Sequence, residues 1–263
     1  MANYDHIRVV YGKVSEVVLN RPEVRNAMSD RTLDEITHAF RNFAMDGELR
    51  AVLVRAEGKD FCAGADIEWM KRAGRLPAEQ GRRDAERLVD MCQSVEQCPV
   101  PVIARVHGNI YGGGLGLVAA CDIVLAEAGA RMCFSEARLG IIPAVISCFV
   151  VPKIGEWAAR RYYLTAEVFG MDVARQMGLV HEAAAEVELE PKITAILENI
   201  QRNGPNAVRE AKALLRKFPG LPFQERVELV LDTLVRLRGS PEGQEGFSAF
   251  LEKRKPAWIK TRA

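Results

Sequence analysis

The sequence predicts an α/β fold with repeated β-β-α units in its N-terminal half and a helical C-terminal region. Three observations carry this. Short apolar runs of strand length alternate with amphipathic runs of helical period as far as Pro152. Two pairs of strands are each followed by a glycine-containing loop and a helix, although no repeat is visible in the residues themselves. After Ile154 every periodic segment is helical and no strand of the earlier type is expected.

Residues 7–10 and 14–19 read as strands around the turn Tyr11-Gly12-Lys13, and Asn20-Arg21-Pro22 ends the second. A polar loop over 23–29 leads to a helix capped by Ser29 or Asp30, with Leu33, Ile36, Phe40 and Phe43 on one face. Residues 51–55 form a strand, and the small-residue loop 58–66 follows it, with a possible helix start at Asp66. Residues 71–83, rich in Arg, Lys and Gly, read as a mobile exposed segment or a plain solvated linker. An amphipathic helix follows over 84–97. Strands are expected at 102–106, 122–126 and 131–134, with the glycine stretch and a helix between the first two. Helices are expected at 154–164, 171–177, 188–202, 205–217, 222–238 and 240–254.

Composition narrows the class of function. Thirty-six Lys and Arg against 35 Asp and Glu give a net charge of +1, which offers no argument for nucleic acid, a membrane surface or a polyanionic partner. The six cysteines, Cys62, Cys92, Cys98, Cys121, Cys133 and Cys148, show neither a C-x-x-C pair nor zinc spacing, and no metal is expected. Buried reduced thiols in a cytoplasmic protein are the expectation. The polar N-terminus lacks a signal-peptide core. The apolar run Leu139 to Pro152 is interrupted by Gly140, Pro143 and Ser147 and is too short to span a bilayer.

The chemistry concentrates at residues 107–122, where Gly112, Gly113 and Gly114 lie between two apolar runs. Glycine lets a ligand approach the backbone closely, and a helix start offers unpaired N–H groups at the positive end of its dipole. A second small-residue stretch, 61–66, precedes another helix start. Two such stretches allow two N–H groups to converge on one oxygen, the arrangement of an oxyanion hole. The rivals fit poorly. Position 117 is Leu, where a dinucleotide fingerprint needs its third glycine; no Gly-Lys-Ser/Thr follows, and no G-x-S-x-G is present. Glu136, between Phe134 and Leu139, is the candidate proton carrier, because an apolar pocket raises a carboxyl pKa towards neutrality. The alternative is that Glu136 pairs with Arg138 or caps a turn. Asp66 and Asp122 read as caps or turn formers, and His107 as a packed structural histidine.

Four ordered motifs together carry a family resemblance: Asn20-Arg-Pro-Glu-Val-Arg-Asn-Ala, Phe61-Cys-Ala-Gly-Ala-Asp-Ile, Tyr111-Gly-Gly-Gly-Leu with Cys121-Asp-Ile, and Ser135-Glu-Ala-Arg-Leu-Gly-Ile-Ile-Pro. The chain resembles the enoyl-CoA hydratase/isomerase (crotonase) superfamily over essentially its whole length, and within it most resembles bacterial methylglutaconyl-CoA hydratases. The resemblance implies a crotonase-like spiral of β-β-α units over 1–200 that holds the active site. It also implies a helical region over 201–263 that takes part in trimerisation and CoA binding, in a homotrimer or a hexamer of paired trimers. It implies an acyl-CoA thioester as substrate, with CoA part of the substrate rather than a cofactor. The thioester oxygen would be held by the N–H groups of Ala65 and Gly113, with Glu136 catalytic. Arg25, Ala27, Ala63, Asp66, Ile67, Gly112, Phe250 and Lys253 would bind substrate and CoA, the last two from a neighbouring subunit or the same one.

Where many members of the family carry a first catalytic glutamate, this chain has Gly116. The function implied is hydration and dehydration of a short branched enoyl-CoA. The expected pair is 3-methylglutaconyl-CoA and 3-hydroxy-3-methylglutaryl-CoA, in leucine and isovaleryl-CoA degradation. The distal carboxylate of that acyl chain needs a cation, for which Lys71, Arg72 and Arg75 are candidates. The alternatives are a Δ3,Δ2-enoyl-CoA isomerase using one glutamate, and a catalytically silent acyl-CoA- or RNA-binding scaffold.

Overall fold

A computed structural model describes residues 3–259 of the chain. Strands β1 (Ile7–Val10) and β2 (Val14–Leu19) pair antiparallel across the expected turn, with Ile7 opposite Leu19. Helix α1 (Asp30–Ala44) is capped by Ser29, whose hydroxyl accepts the Thr32 N–H while Thr32 Oγ1 accepts the Ser29 N–H. Its predicted face, Leu33, Ile36, Phe40 and Phe43, is fully buried. There follow β3 (Ala51–Ala56), α2 (Ile67–Ala73), α3 (Ala78–Glu96), β4 (Val102–Val106), β5 (Asn109–Tyr111), α4 (Gly113–Ala120), β6 (Ile123–Glu127), β7 (Arg131–Cys133) and α5 (Ala144–Thr165). The chain closes with α6 (Met171–Gln176), β8 (Glu182–Ala184), α7 (Glu186–Arg202), α8 (Pro205–Lys217), α9 (Phe223–Arg238) and α10 (Pro241–Leu251).

The main sheet runs β1-β2-β3-β4-β6-β8, parallel from β2 onward. A smaller parallel pair, β5 and β7, is extended by single bridges from Ile110 to Cys62 and from Met132 to Phe169, and Met28 bridges Ala65 nearby. Each unit therefore gives one strand to the main sheet and a short extended segment beside it before its helix. β2 is followed by Met28 and α1, β3 by Cys62 and α3, β4 by β5 and α4, β6 by β7 and α5. The helices pack in that order. Both faces of the main sheet are covered: Val52 and Val54 of β3 join the principal core, whereas Ala51 and Leu53 join a second cluster with Leu189 and Ile193 of α7. This is the expected α/β spiral with a helical C-terminal region.

Four details depart from expectation. Residues 71–83 are mostly helical, split between α2 and α3, with only a short connection between them. The first turns of α3 bury nothing and are laced by ion pairs such as Arg83–Glu79 and Arg82–Glu86, so they carry no apolar period to read. Helix α5 begins within the run 139–152, at Ala144, and breaks at Gly155 (φ 74°) rather than starting there. β8 is a strand beyond Ile154, only three residues long and without alternation. Five cysteines are buried, but Cys148 is exposed. The first and last residues of the expected 1–200 and 201–263 division lie outside the described residues. Among the described residues, no helix is long and apolar enough to cross a membrane.

Candidate active site

The glycine stretch turns sharply at Gly112 (φ 49°, ψ −121°), a conformation that penalises any side chain, and enters α4 at Gly113. Gly112 donates its N–H to the Cys133 carbonyl of β7 at 3.1 Å, which fixes the turn. The second small-residue loop crosses at contact distance. A Cβ on Gly114 would lie 2.8 Å from Cys62 Cβ, and one on Gly112 would lie 3.7 Å from Gly64 Cα. Cys62 is packing here rather than a nucleophile, because burial pushes its thiol up to about 12. In the second loop, Met28 donates to the Gly64 carbonyl and accepts from the Asp66 N–H, both at 2.8 Å. The intervening Ala65 N–H is thereby turned the other way. Among the described residues, no backbone acceptor takes the N–H of Ala65 or of Gly113.

Ala65, Gly113 and Glu136 line one cavity of ≈ 210 Å³. Its remaining walls are apolar: Met28 and Leu33, Trp69 and Met70 of α2, Leu88 of α3, and the segment Ile141 to Ile146. Among the described residues, Glu136 is its only ionisable lining residue. Glu136 opens a single 3₁₀ turn, Glu136–Leu139, directly after β7. Its Oε2 is buried without a hydrogen-bond partner among the described residues. Burial pushes its carboxyl above the usual carboxylate range. Arg138 does not neutralise it, because that guanidinium donates to the Ala166 carbonyl at 2.6 Å. Arg138 pairing is thereby removed as a role for Glu136. An unpaired, desolvated carboxyl is costly to the fold and suited to proton transfer.

A second cavity of ≈ 420 Å³ meets the first at Ala65 and is lined by Glu23, Val24, Arg25, Ala27, Ala63, Asp66, Ile67 and Glu68. All five of the expected binding residues from the 25–67 region therefore fall on this one surface. Asp66 also acts as the expected cap: its carboxylate accepts the N–H groups of Glu68 and Trp69 and takes an ion pair from Arg21 at 3.1 Å. These contacts hold its carboxyl below the usual range against the opposing effect of burial. His107 is buried and bonded to the Gly58 carbonyl at 2.9 Å, and Asp122 pairs with the buried Lys212 at 2.5 Å. Both are structural.

Other expected site residues are not brought together. Lys71 pairs with Glu68 at 2.9 Å and Arg72 with Asp30 at 3.3 Å, both on the surface. Arg75 is exposed near the end of α2, and none of the three lines the apolar cavity. Among the described residues, that cavity has no cation in its lining. Within one chain Phe250 and Lys253 lie on the exposed surface, outside both cavities. Lys253 sits just past α10 in a left-handed conformation (φ 54°), not on a helix face.

Sequence reasoning did not anticipate Trp69, Met70, Leu88 and Ile146 as cavity walls. Helical spacing marks such residues as core without saying which core residues border a void. It also did not show what fills the space over Gly116. A Cβ there would lie 2.5 Å from Ile146 Cγ2 and 3.2 Å from Cys92 Sγ, so Ile146 occupies the place a longer side chain would take.

Comparison with known proteins bears on the family and the fold. The family model for enoyl-CoA hydratase/isomerase matches residues 10–261. The crotonyl-CoA hydratase of Syntrophomonas wolfei is 30% identical over 94% of this chain and 95% of that protein. The short-chain-enoyl-CoA hydratase of Clostridium acetobutylicum is 30% identical over 95% of this chain and 96% of that protein. The crystal structure of an enoyl-CoA hydratase from Shewanella pealeana superposes with a TM-score of 0.92 at 34% identity, covering 97% of this chain and 96% of that one. The chain belongs to the enoyl-CoA hydratase/isomerase family.

Proposed function

We propose that this protein catalyses the reversible addition of water to the double bond of a short, branched enoyl-CoA thioester. The observation that carries the reading is that Ala65 and Gly113, whose N–H groups find no backbone acceptor among the described residues, line one small apolar cavity together with Glu136. In the dehydrating direction Glu136 accepts the C2 proton, and the electron pair moves onto the thioester oxygen. The two N–H groups stabilise the enolate oxygen as its charge develops. The electron pair then returns to form the C2–C3 double bond as the C3 hydroxyl leaves. Glu136 hands that hydroxyl the same proton, so the products are the enoyl thioester and water. Hydration reverses these steps. Arg25, Ala27, Ala63, Asp66 and Ile67 on the adjoining cavity form the surface for the CoA portion.

The names of the short-chain and crotonyl-CoA relatives support a short acyl group. The finer pair, 3-methylglutaconyl-CoA and 3-hydroxy-3-methylglutaryl-CoA, rests on the motif resemblance. The cation-free lining of the cavity favours an acyl group without a distal carboxylate. Lys71, Arg72 and Arg75 would have to leave the surface to serve such a group. One observation favours a second reading, a Δ3,Δ2-enoyl-CoA isomerase: the cavity carries one carboxylate, with Ile146 over Gly116. One carboxylate suffices to move a proton from C2 to C4.

Incubation with crotonyl-CoA, 3-methylcrotonyl-CoA, methylglutaconyl-CoA and a 3-enoyl-CoA, followed by mass measurement, separates these readings. Hydration of an uncharged short 2-enoyl-CoA, seen as gain of one water, is the expected result. A product of unchanged mass from the 3-enoyl-CoA alone would replace it with isomerisation. Binding without turnover of any thioester would leave a silent acyl-CoA-binding scaffold.

The C-terminal region over 201–263 is proposed to assemble trimers and to bring Phe250 and Lys253 to the CoA of a neighbouring subunit. The support is the run of apolar side chains exposed on α9 and α10, including Phe223, Leu231, Val235, Phe247, Phe250 and Leu251. Light scattering on the purified protein should give three or six times the chain mass, and a monomer would remove this part of the reading. The absence of C-x-x-C pairs and the burial of most thiols suit a reducing, cytoplasmic setting.

A further inference from the structure

We infer that Asp60 is a positioning residue that holds the Arg25 guanidinium ready for a phosphate group of CoA. This rests on the reading that CoA lies along the cavity bordered by Arg25. The Asp60 side chain is 1% exposed. Its Oδ1 accepts two hydrogen bonds from Asn109, one from the backbone N–H at 2.9 Å and one from Nδ2 at 2.6 Å. Its Oδ2 is buried and has no hydrogen-bond partner among the described residues. The cation that faces it is Arg25, whose Nε lies 3.8 Å away and whose side chain is 70% exposed on the cavity.

The backbone beneath this pair is fixed. Arg25 and Asn26 both have left-handed conformations (φ 53° and 54°), unusual for residues with a Cβ. Asn26 holds them there through three hydrogen bonds: its Oδ1 accepts the Arg21 N–H, and its Nδ2 donates to the carbonyls of Glu57 and of Asp60 itself. The Ala63 N–H donates to the Arg25 carbonyl at 2.9 Å. Two strained residues, stapled to the loop that carries Asp60, aim a long side chain over a buried carboxylate oxygen.

The geometry has a direct chemical use. An exposed arginine samples many rotamers, and ordering it opposes ligand binding. A carboxylate that attracts Nε restricts those rotamers in the free protein. The two terminal nitrogens then face outward as a planar fork that matches phosphate oxygens. The result is a carboxylate–guanidinium–phosphate series, with the carboxylate inside and the phosphate in the cavity. Asp60 touches no substrate and acts through Arg25.

Asp60→Asn keeps the acceptor for Asn109 and removes the charge that faces Arg25. The test compares a short enoyl-CoA with the pantetheine thioester of the same acyl group, which lacks the phosphates. Asp60→Asn is expected to raise KM for the CoA thioester about tenfold with little change in kcat. KM for the pantetheine thioester should stay at the parent value. In an Arg25→Gln background, Asp60→Asn should add nothing. Equal loss with both thioesters, a fall in kcat, or additivity with Arg25→Gln would overturn the inference, because each would mean that Asp60 acts through Asn109 and β5. If Arg25→Gln alone leaves both KM values unchanged, Arg25 meets no phosphate and the inference also falls. Failure of the parent protein to turn over either thioester would instead overturn the underlying hydratase reading.

Discussion

The Glu136→Gln variant will bind acyl-CoA thioesters as the parent does and lose turnover by on the order of 10³-fold. Gln fills the same volume and cannot carry a proton between C2 and the departing hydroxyl. The pH profile should carry the same signature. Burial holds the Glu136 carboxyl above the ordinary range, and dehydration needs the ionised form. The rate of dehydration should therefore fall as pH drops through that raised value. Hydration runs the same steps backwards, begins with the ionised carboxylate taking a proton from water, and should fall with the same acid limb. That acid limb should be absent, in both directions, from the residual activity of the variant.

Stability should move the opposite way. The folded chain binds the Glu136 proton more tightly than the unfolded chain does. The associated stability is complete below the unfolded-state pKa and is lost as pH rises through the folded-state pKa. At neutral pH the parent thus carries a desolvated carboxylate with an unpartnered Oε2, a cost the Gln variant does not bear. Glu136→Gln should melt higher than the parent at neutral pH, and the difference should shrink on acidification. Near-parent turnover in the variant would remove Glu136 from the chemistry, whatever the melting curves show.

The parts of this protein that were legible in its sequence are those set by local chemistry. The face of α1, its Ser29 cap, the turn between β1 and β2, and the two small-residue loops follow from period, capping and glycine chemistry, and each is found where those rules put it. The convergence of the two loops follows as well, since the close crossing at Gly114 and Cys62 leaves no room for a side chain. The first turns of α3 and the short β8 were not legible, because neither has an apolar period of its own. The start of α5 was hidden for the opposite reason, since its first turns are apolar on nearly every side.

At the site, residue type pointed to Glu136 because a carboxyl among Phe134, Leu139 and glycine is unusual. Charge misled at Lys71 and Arg72. A basic run says that cations are present but not which way they point, and surface carboxylates at Glu68 and Asp30 claim them. Asp60 gave no sequence signal, since its use depends on Arg25 and Asn109, which are far from it in the chain.

Gly116→Glu will destabilise the protein by about 3 kcal/mol or more, a fall of roughly 10 °C in Tm. The new Cβ would overlap Ile146 Cγ2 at 2.5 Å and crowd Cys92 Sγ at 3.2 Å, both within the buried core. α4 is buried along nearly its whole length, so the helix cannot shift to make space. The added carboxyl would also lose its hydration and find no cation in the cavity lining. The loss is therefore one of space first and of charge second, and a paired substitution separates the two. Ile146→Ala alone should cost stability through the cavity it leaves. Combined with Gly116→Glu it should restore part of the lost Tm, because the new side chain then occupies that cavity. The double variant would hold two carboxylates across the acyl chamber. It should add water to a 2-enoyl-CoA faster, relative to double-bond migration in a 3-enoyl-CoA, than the parent does. A Gly116→Glu protein as stable as the parent would show that Ile146 yields its place freely. The single-carboxylate chemistry would then be a choice of residue at one position rather than a constraint built into the packing of α4 against α5.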